Sequence, residues 1–226
     1  KDTTVTDDDP RNAYLQEVTS RIRECVAAEQ FVEAHQLCRQ VMAVFADDKN
    51  LVDLALTIEN DCLVSLSQRA FIGPRYTEWL QWLHRRLQPK CYVEIGIAGG
   101  DTLVYPGLDT EVIGIDPAFT IATEISAPTR LFRQESDRFF DSETAKTLFA
   151  SKKVDLAFID GLHTFDQALR DFINIEANAA PGAVVAFHDN YPLAEVTARR
   201  ERVSRVWLGD TWKDIPILRS YRPDLK

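Results

Sequence analysis

The chain has 226 residues, 45% of them hydrophobic, enough to bury one full core and a small helical appendage. Its formal charge of −9 disfavours a nucleic-acid partner, because displacing counterions from a phosphate backbone needs clustered Lys and Arg. No stretch approaches the roughly 18 uninterrupted apolar residues of a membrane span, and the polar, acidic start KDTTVTDDD is unlike a signal peptide, so we expect a cytoplasmic chain with no membrane partner. It starts at Lys1 rather than Met, from which we expect a piece of something longer. Cys25, Cys38, Cys62 and Cys91 lack CxxC spacing and sit in apolar periodic segments, the pattern of small core hydrophobes in a reducing compartment rather than a zinc site.

Residues 1–9 hold four Asp and only Val5 as an apolar anchor, the composition of a disordered lead-in. Pro10 suits a first helical turn. Leu15, Val18, Ile22 and Cys25 then recur at helical spacing, followed by Phe31, Ala34, Leu37, Cys38, Val41 and Phe45, and by Leu51, Leu54, Ile58 and Cys62. These predict an N-terminal helical segment over residues 10–67. The first two helices, split near Glu29, resemble a tetratricopeptide-type hairpin, but one unit is too little for a solenoid. A cap on the core, or a contact for a second copy or a protein partner, is the expected role. Gly73 and Pro74 mark a linker over 68–75, and Tyr76, Trp79, Leu80, Leu83 and Leu87 a further helix.

From Cys91 the pattern changes. The runs CYVEIGI, EVIGID, RLFRQ, DLAFID and AVVAFH are short, apolar and β-rich, and the segments between them can hold crossover helices. A parallel sheet covered on both faces requires such runs, so residues 76–226 are expected to form a Rossmann-like α/β, doubly wound, mostly parallel domain. The 36 residues after Asn190 contain a charged stretch, AEVTARRERVSR, expected to be mobile, and one helix near Thr211 to Ser220. A strand hairpin closing the sheet is therefore expected to be missing.

The first run leads into Glu94, Gly96, Ala98, Gly99, Gly100, Asp101 and Thr102, a glycine-rich turn expected to open a helix. Glycines let a backbone approach a ligand, and a helix start offers free N–H groups. The next strand ends in Asp116, where a carboxylate can accept ribose hydroxyls. Nicotinamide dinucleotides generally want GxGxxG beside their pyrophosphate; the sequence here is GxAGG, and there is no obvious catalytic Tyr-x-x-x-Lys. Glu94 would sit badly beside a pyrophosphate but suits an amino-acid ammonium, which favours S-adenosylmethionine.

FIDGLHTFDQALRDF followed by APGAVVAFHDN, within residues 76–190, resembles the class I methyltransferases, specifically the metal-linked O-methyltransferases of catechol and macrolide-sugar type; GDTWKDIPILRSYRPDL adds further likeness. The resemblance implies methyl transfer to a hydroxylated small molecule or sugar. It makes Asp160 a ligand of a divalent metal, magnesium in the first instance, and His163 the general base, with Asp189 as second metal ligand. The third ligand is either His188, in an ungapped match, or Asn190, with a one-residue gap; His188 would shift the site toward manganese or iron. Gln134 and Ser136 take the adenine, and Thr102 the methionine carboxylate. The competing reading is an accessory protein that binds S-adenosylmethionine without transferring methyl, acting through its N-terminal helices. His35 and His84 receive no role. Asp166, Arg170 and Asp171 are expected on a solvated, salt-bridged helix face. Trp207, Trp212 and Tyr221 are expected to pack the core rather than roof the acceptor pocket.

Overall fold

The computed structural model describes residues 10–226. The lead-in expected over residues 1–9 lies outside them. The chain divides into two units: a helical one, residues 10–72 with Leu193–Trp207, and a sheet unit, Gly73–Pro192 with Leu208–Lys226.

In the helical unit α1 (Pro10–Ala27), α2 (Phe31–Val44) and α3 (Lys49–Ala70) close around Val18, Ile22, Cys38, Val41, Phe45 and Ala55. Left-handed Glu29 turns the chain between α1 and α2, and the Asp48 carboxylate caps α3. α3 runs three residues past the expected boundary, because nothing before Gly73 and Pro74 breaks it. Residues 193–207, expected within the C-terminal domain, belong instead to this unit. Glu59, 1% exposed on α3, is ion-paired with Arg39 of α2, and Arg39 Nη2 also donates to the Val203 carbonyl at 2.9 Å. A buried carboxylate needs such partners. All four cysteines are free and buried.

The sheet unit starts with α4 (Tyr76–Leu87) and carries five parallel strands in the order β3-β2-β1-β4-β5. They are β1 (Cys91–Ile95), β2 (Glu111–Ile115), β3 (Thr129–Phe132), β4 (Val154–Ile159) and β5 (Ala179–Phe187), so the doubly wound, Rossmann-like sheet is present. Alternation along β1 sends Cys91, Val93 and Ile95 to one core and Tyr92 to the other. The first core is covered by α5 (Ser136–Phe140), α6 (Glu143–Ser151), α7 (Phe165–Ala177) and Leu218 of α8 (Asp214–Tyr221); Leu80 of α4 packs the second.

The helix expected after the glycine-rich turn is reduced to one 3-10 turn, Asp101–Val104, since Pro106 and Gly107 stop it. The β2–β3 crossover, flanked by Pro117 and Pro128, is also without a helix. No strand follows β5, which is therefore a sheet edge. A bulge in its pairing with β4 lies between Val154 and Leu156, opposite Pro181 and Gly182. Bulges and prolines blunt edges against further pairing.

β1 and β4 lie side by side, and Gly96 just past β1 meets the chain just past β4. A Cβ on Gly96, whose φ is +85°, would fall 1.9 Å from the Asp160 carbonyl oxygen, whereas one on Gly182, at φ +84°, would meet nothing within 4 Å. Gly182→Ala is thus expected to lose only the backbone term, about 1–2 kcal/mol. Gly96→Ala adds a backbone collision and should lose on the order of 4 kcal/mol or fail to fold. Urea denaturation of the two variants compares them; equal losses would refute the close packing.

Candidate functional site

The carboxyl ends of the strands open onto a cavity of about 700 Å³, a size that suits a small-molecule ligand. Gly96, Ala98, Asp116 and Ser136 line one part of it, and Asp160, His163, His188 and Asp189 another. Among the described residues, five carboxylates (Asp116, Glu135, Asp137, Asp160, Asp189) face it, and no Lys or Arg does. Such a lining favours a cationic ligand and works against a pyrophosphate.

Asp116 ends β2 and organises the glycine-rich turn. Its Oδ2 accepts from the backbone N–H groups of Ile97 and Ala98, each at 2.9 Å, and its Oδ1 from Ala118 N at 2.6 Å. That holds Ala98 in a left-handed conformation, φ 39°. Glu94 does not reach the cavity wall. It is 1% exposed, accepts from Tyr92 Oη at 2.6 Å and is also hydrogen-bonded by the Thr102 hydroxyl. Burial pushes its carboxyl up to about 7, against the two hydrogen bonds. The hydroxyl assigned to a methionine carboxylate is therefore spent on Glu94, and neither Thr102 nor Gly100 lines the cavity.

Past β3, Ser136 donates to Asp171 Oδ1 at 2.6 Å, and Gln167 Nε2 reaches Ser136, Asp137 and Asp171 at 3.0–3.1 Å. Asp171, expected on a solvated face, is 1% exposed, and burial pushes its carboxyl up to about 6. Asp166 and Arg170 do form the exposed pair expected of them. Gln134 lies outside the lining, its N–H bonded to the Phe132 carbonyl. Glu135, Asp137 and Gln167, which the sequence reading passed over, line it instead.

Beyond β4 and β5 two carboxylates and two imidazoles meet. His188 Nδ1 lies 2.9 Å from Asp160 Oδ1 and 3.4 Å from Asp189 Oδ1. His163 bridges the acids, Nε2 to Asp160 Oδ1 and Nδ1 to Asp189 Oδ2, both at 3.3 Å. Burial would raise the Asp160 carboxyl, but the imidazole hydrogen bonds outweigh it and hold the group below its usual range. Burial wins at Asp189, which is raised despite both imidazoles. Burial would lower His188, but Asp160 and Asp189 outweigh it and the ring is raised. Asp189 is left-handed, φ 55°, a conformation Asp tolerates better than most residues.

A neutral imidazole has one N–H, so His163 cannot donate to both carboxylates. Its second contact sets a lone pair against an anion unless a positive charge lies there. Asp160, His163 and Asp189 each offer one ligand atom, all within 4.8 Å of one another. Two carboxylate oxygens and an imidazole nitrogen suit a divalent cation. Both side-chain atoms of Asn190, next along, are buried without a hydrogen-bond partner. The residues thus fit the implied metal: His163 completes a group with the two acids, and His188 also lies beside both of them. Tyr76, marked in the sequence only as a helix position, sets its ring centroid 4.2 Å from that of His188.

The remaining candidates lie elsewhere. His84 is buried against Tyr92, and burial lowers it to about 4; His35 Nδ1 sits 2.9 Å from Glu59 Oε1. Trp212 and Tyr221, expected in the core, are 39% and 78% exposed, and Trp207 Nε1 donates to the Arg199 carbonyl. No described helix is long and apolar enough to cross a membrane.

Among known families, residues 93–190 match a model described as a methyltransferase domain. No curated protein matches the chain.

Glu94 carries a stability consequence. The fold binds its proton more tightly than the unfolded chain does, so its contribution is fully present below the unfolded value near 4.5 and is lost as pH rises through about 7. Glu94→Gln keeps an acceptor for Thr102 and has no charge to desolvate. The parent should lose about 1–3 kcal/mol more than the variant between pH 5 and pH 8 in urea titrations. Parallel losses would refute an ionising, desolvated Glu94.

Proposed function

We propose, from the match of residues 93–190 to a methyltransferase-domain model, that the protein is a class I S-adenosylmethionine-dependent methyltransferase acting on a hydroxyl of a small molecule or sugar. The observation that carries this reading is His163, held between Asp160 and Asp189 in the wall of an acid-lined cavity.

S-adenosylmethionine, when bound, supplies a sulfonium whose methyl group is intrinsically electrophilic. Asp116, Gly96 and Ala98 would hold its nucleoside end, with the carboxylates around them complementing its positive charge. An alcohol remains a poor nucleophile until its proton leaves. An imidazole has the basicity to take that proton near neutral pH, and we assign the task to His163. The flanking carboxylates stabilise the imidazolium that forms and fix the ring plane. The deprotonated oxygen would take the methyl as the sulfonium S–CH3 bond breaks, with S-adenosylhomocysteine as the leaving group, and positioning beside the cavity would supply much of the remaining acceleration.

A divalent cation, held by Asp160, Asp189 and one His163 nitrogen, would lower the pKa of a bound hydroxyl. Base and ligand roles compete for the same ring. If His163 is the base, activity survives chelation and still requires His163; if it is a ligand, chelation abolishes activity and Mn²⁺ restores it.

Two measurements test the proposal. His163→Ala should lower kcat roughly 10²–10⁴-fold while S-adenosylhomocysteine affinity stays within about twofold; retained turnover, read as one added methyl by mass spectrometry, would remove the base. Calorimetry should show S-adenosylhomocysteine bound and NAD not bound, with affinity falling at least about tenfold in Asp116→Ala; NAD binding alone would overturn the cofactor.

A further inference from the structure

The loops that carry His163 and Asp189 share a third support from far along the chain. Gly209 is left-handed, φ +68°, and a Cβ there would fall 1.6 Å from the His163 carbonyl oxygen. Its backbone is therefore packed against His163, where only glycine fits. The next residue, Asp210, is 4% exposed; its N–H approaches the same carbonyl at 3.3 Å, while its Oδ1 accepts from Phe165 N at 2.8 Å. Lys213 Nζ lies 2.8 Å from its Oδ2 and orients the carboxylate. Thr211, also 4% exposed, places its hydroxyl 3.0 Å from the Asp189 carbonyl oxygen and 3.2 Å from that of Leu208.

Three consecutive residues thus tie both loops. Asp210 closes the turn that leads from His163 into α7, and Thr211 reaches the carbonyl of the strained residue beside it. A hydroxyl has one proton, and the nearer acceptor is Asp189. Without that bond, the left-handed Asp189 loses a hydrogen bond that holds it against relaxing, and a relaxed Asp189 need not keep its carboxylate 3.3 Å from His163.

The geometry points to Asp210 and Thr211 as positioning residues: they hold His163 and Asp189 at the spacing needed to take a cation or a proton. The inference rests on the reaction proposed above, but its structural content can be tested separately. Neither residue lines the cavity, so neither is a catalytic residue.

The experiment compares Thr211→Val, which keeps shape and removes the hydroxyl, with Thr211→Ser, which keeps the hydroxyl. S-adenosylhomocysteine binding reports that each is folded; if Thr211→Val is not, Thr211→Ala takes its place. Supporting partners of metal ligands typically contribute 10–100-fold in affinity, so Thr211→Val should weaken Mn²⁺ binding by roughly that factor, with Thr211→Ser near the parent. Amide exchange in a peptide spanning 188–192 should accelerate at least about tenfold in Thr211→Val alone. Unchanged exchange in Thr211→Val, or equal effects in the two variants, would overturn the brace. If the parent binds no Mn²⁺, the cation reading falls and the brace is decided by exchange alone.

Discussion

The site depends on one close approach, that of the Gly96 backbone to the Asp160 carbonyl. β1 and β4 are hydrogen-bonded neighbours, so the turns that follow them emerge side by side, and the absence of a side chain at 96 lets them touch. A cavity that joins a glycine-rich turn to an Asp–His cluster follows from that contact. With any Cβ at 96 the turns would part, and the cofactor end of the cavity would be displaced from the group proposed to take the proton. Distance between reactive groups is what an enzyme of this kind controls, since misplacement of about 1 Å can lower rates by two orders of magnitude.

The charges are arranged on the same principle. Asp116 is spent on three backbone N–H groups and Glu94 on two hydroxyls, so each acid first fixes the turn beside it. Around His163 and His188 the acids are close enough to restrain both rings, yet a neutral His163 cannot satisfy both of its carboxylates. That cluster is incomplete as an electrostatic arrangement. It gains when positive charge arrives, whether as a proton taken from a hydroxyl or as a cation, and an active site benefits from a group that prefers the state reached during reaction.

The strands were legible because their runs are apolar and β-rich without polar alternation, as both-sided burial demands. Asp160, His163, His188 and Asp189 were found because they stand directly after such runs, where parallel strands deliver ligands. The missing crossover helices were not foreseen, although Pro106, Gly107 and Pro117 stand in the chain where helices would run. The partner of Glu94 had a signal: Tyr92 lies two residues before it and so shares its strand face. Asp171 had one too, because it falls beside Ala168, Phe172 and Ile175 on the buried stripe of α7. What could not be read was contact across long separations. Nothing local says that Gln167 meets Ser136, that Tyr76 lies against His188, or that Thr211 reaches Asp189.

The end of the sheet explains why such a long-range support is useful. Phe187 is the last residue of an edge strand, so the loop carrying His188 and Asp189 has a neighbouring strand on one side only. The chain then leaves for the helical unit over residues 193–207 and returns at Leu208. On its return it does not add a strand to the open edge of β5. It lays Gly209, Asp210 and Thr211 against the loops that carry His163 and Asp189 and continues into α8, where Leu218 joins the core and Arg222, just past its end, pairs with Glu176 of α7 at 2.6 Å. Those anchors matter because a brace transmits position only if its far side is fixed. With α8 held to α7, and α7 starting just past His163, the support and the loop it steadies belong to one packed layer.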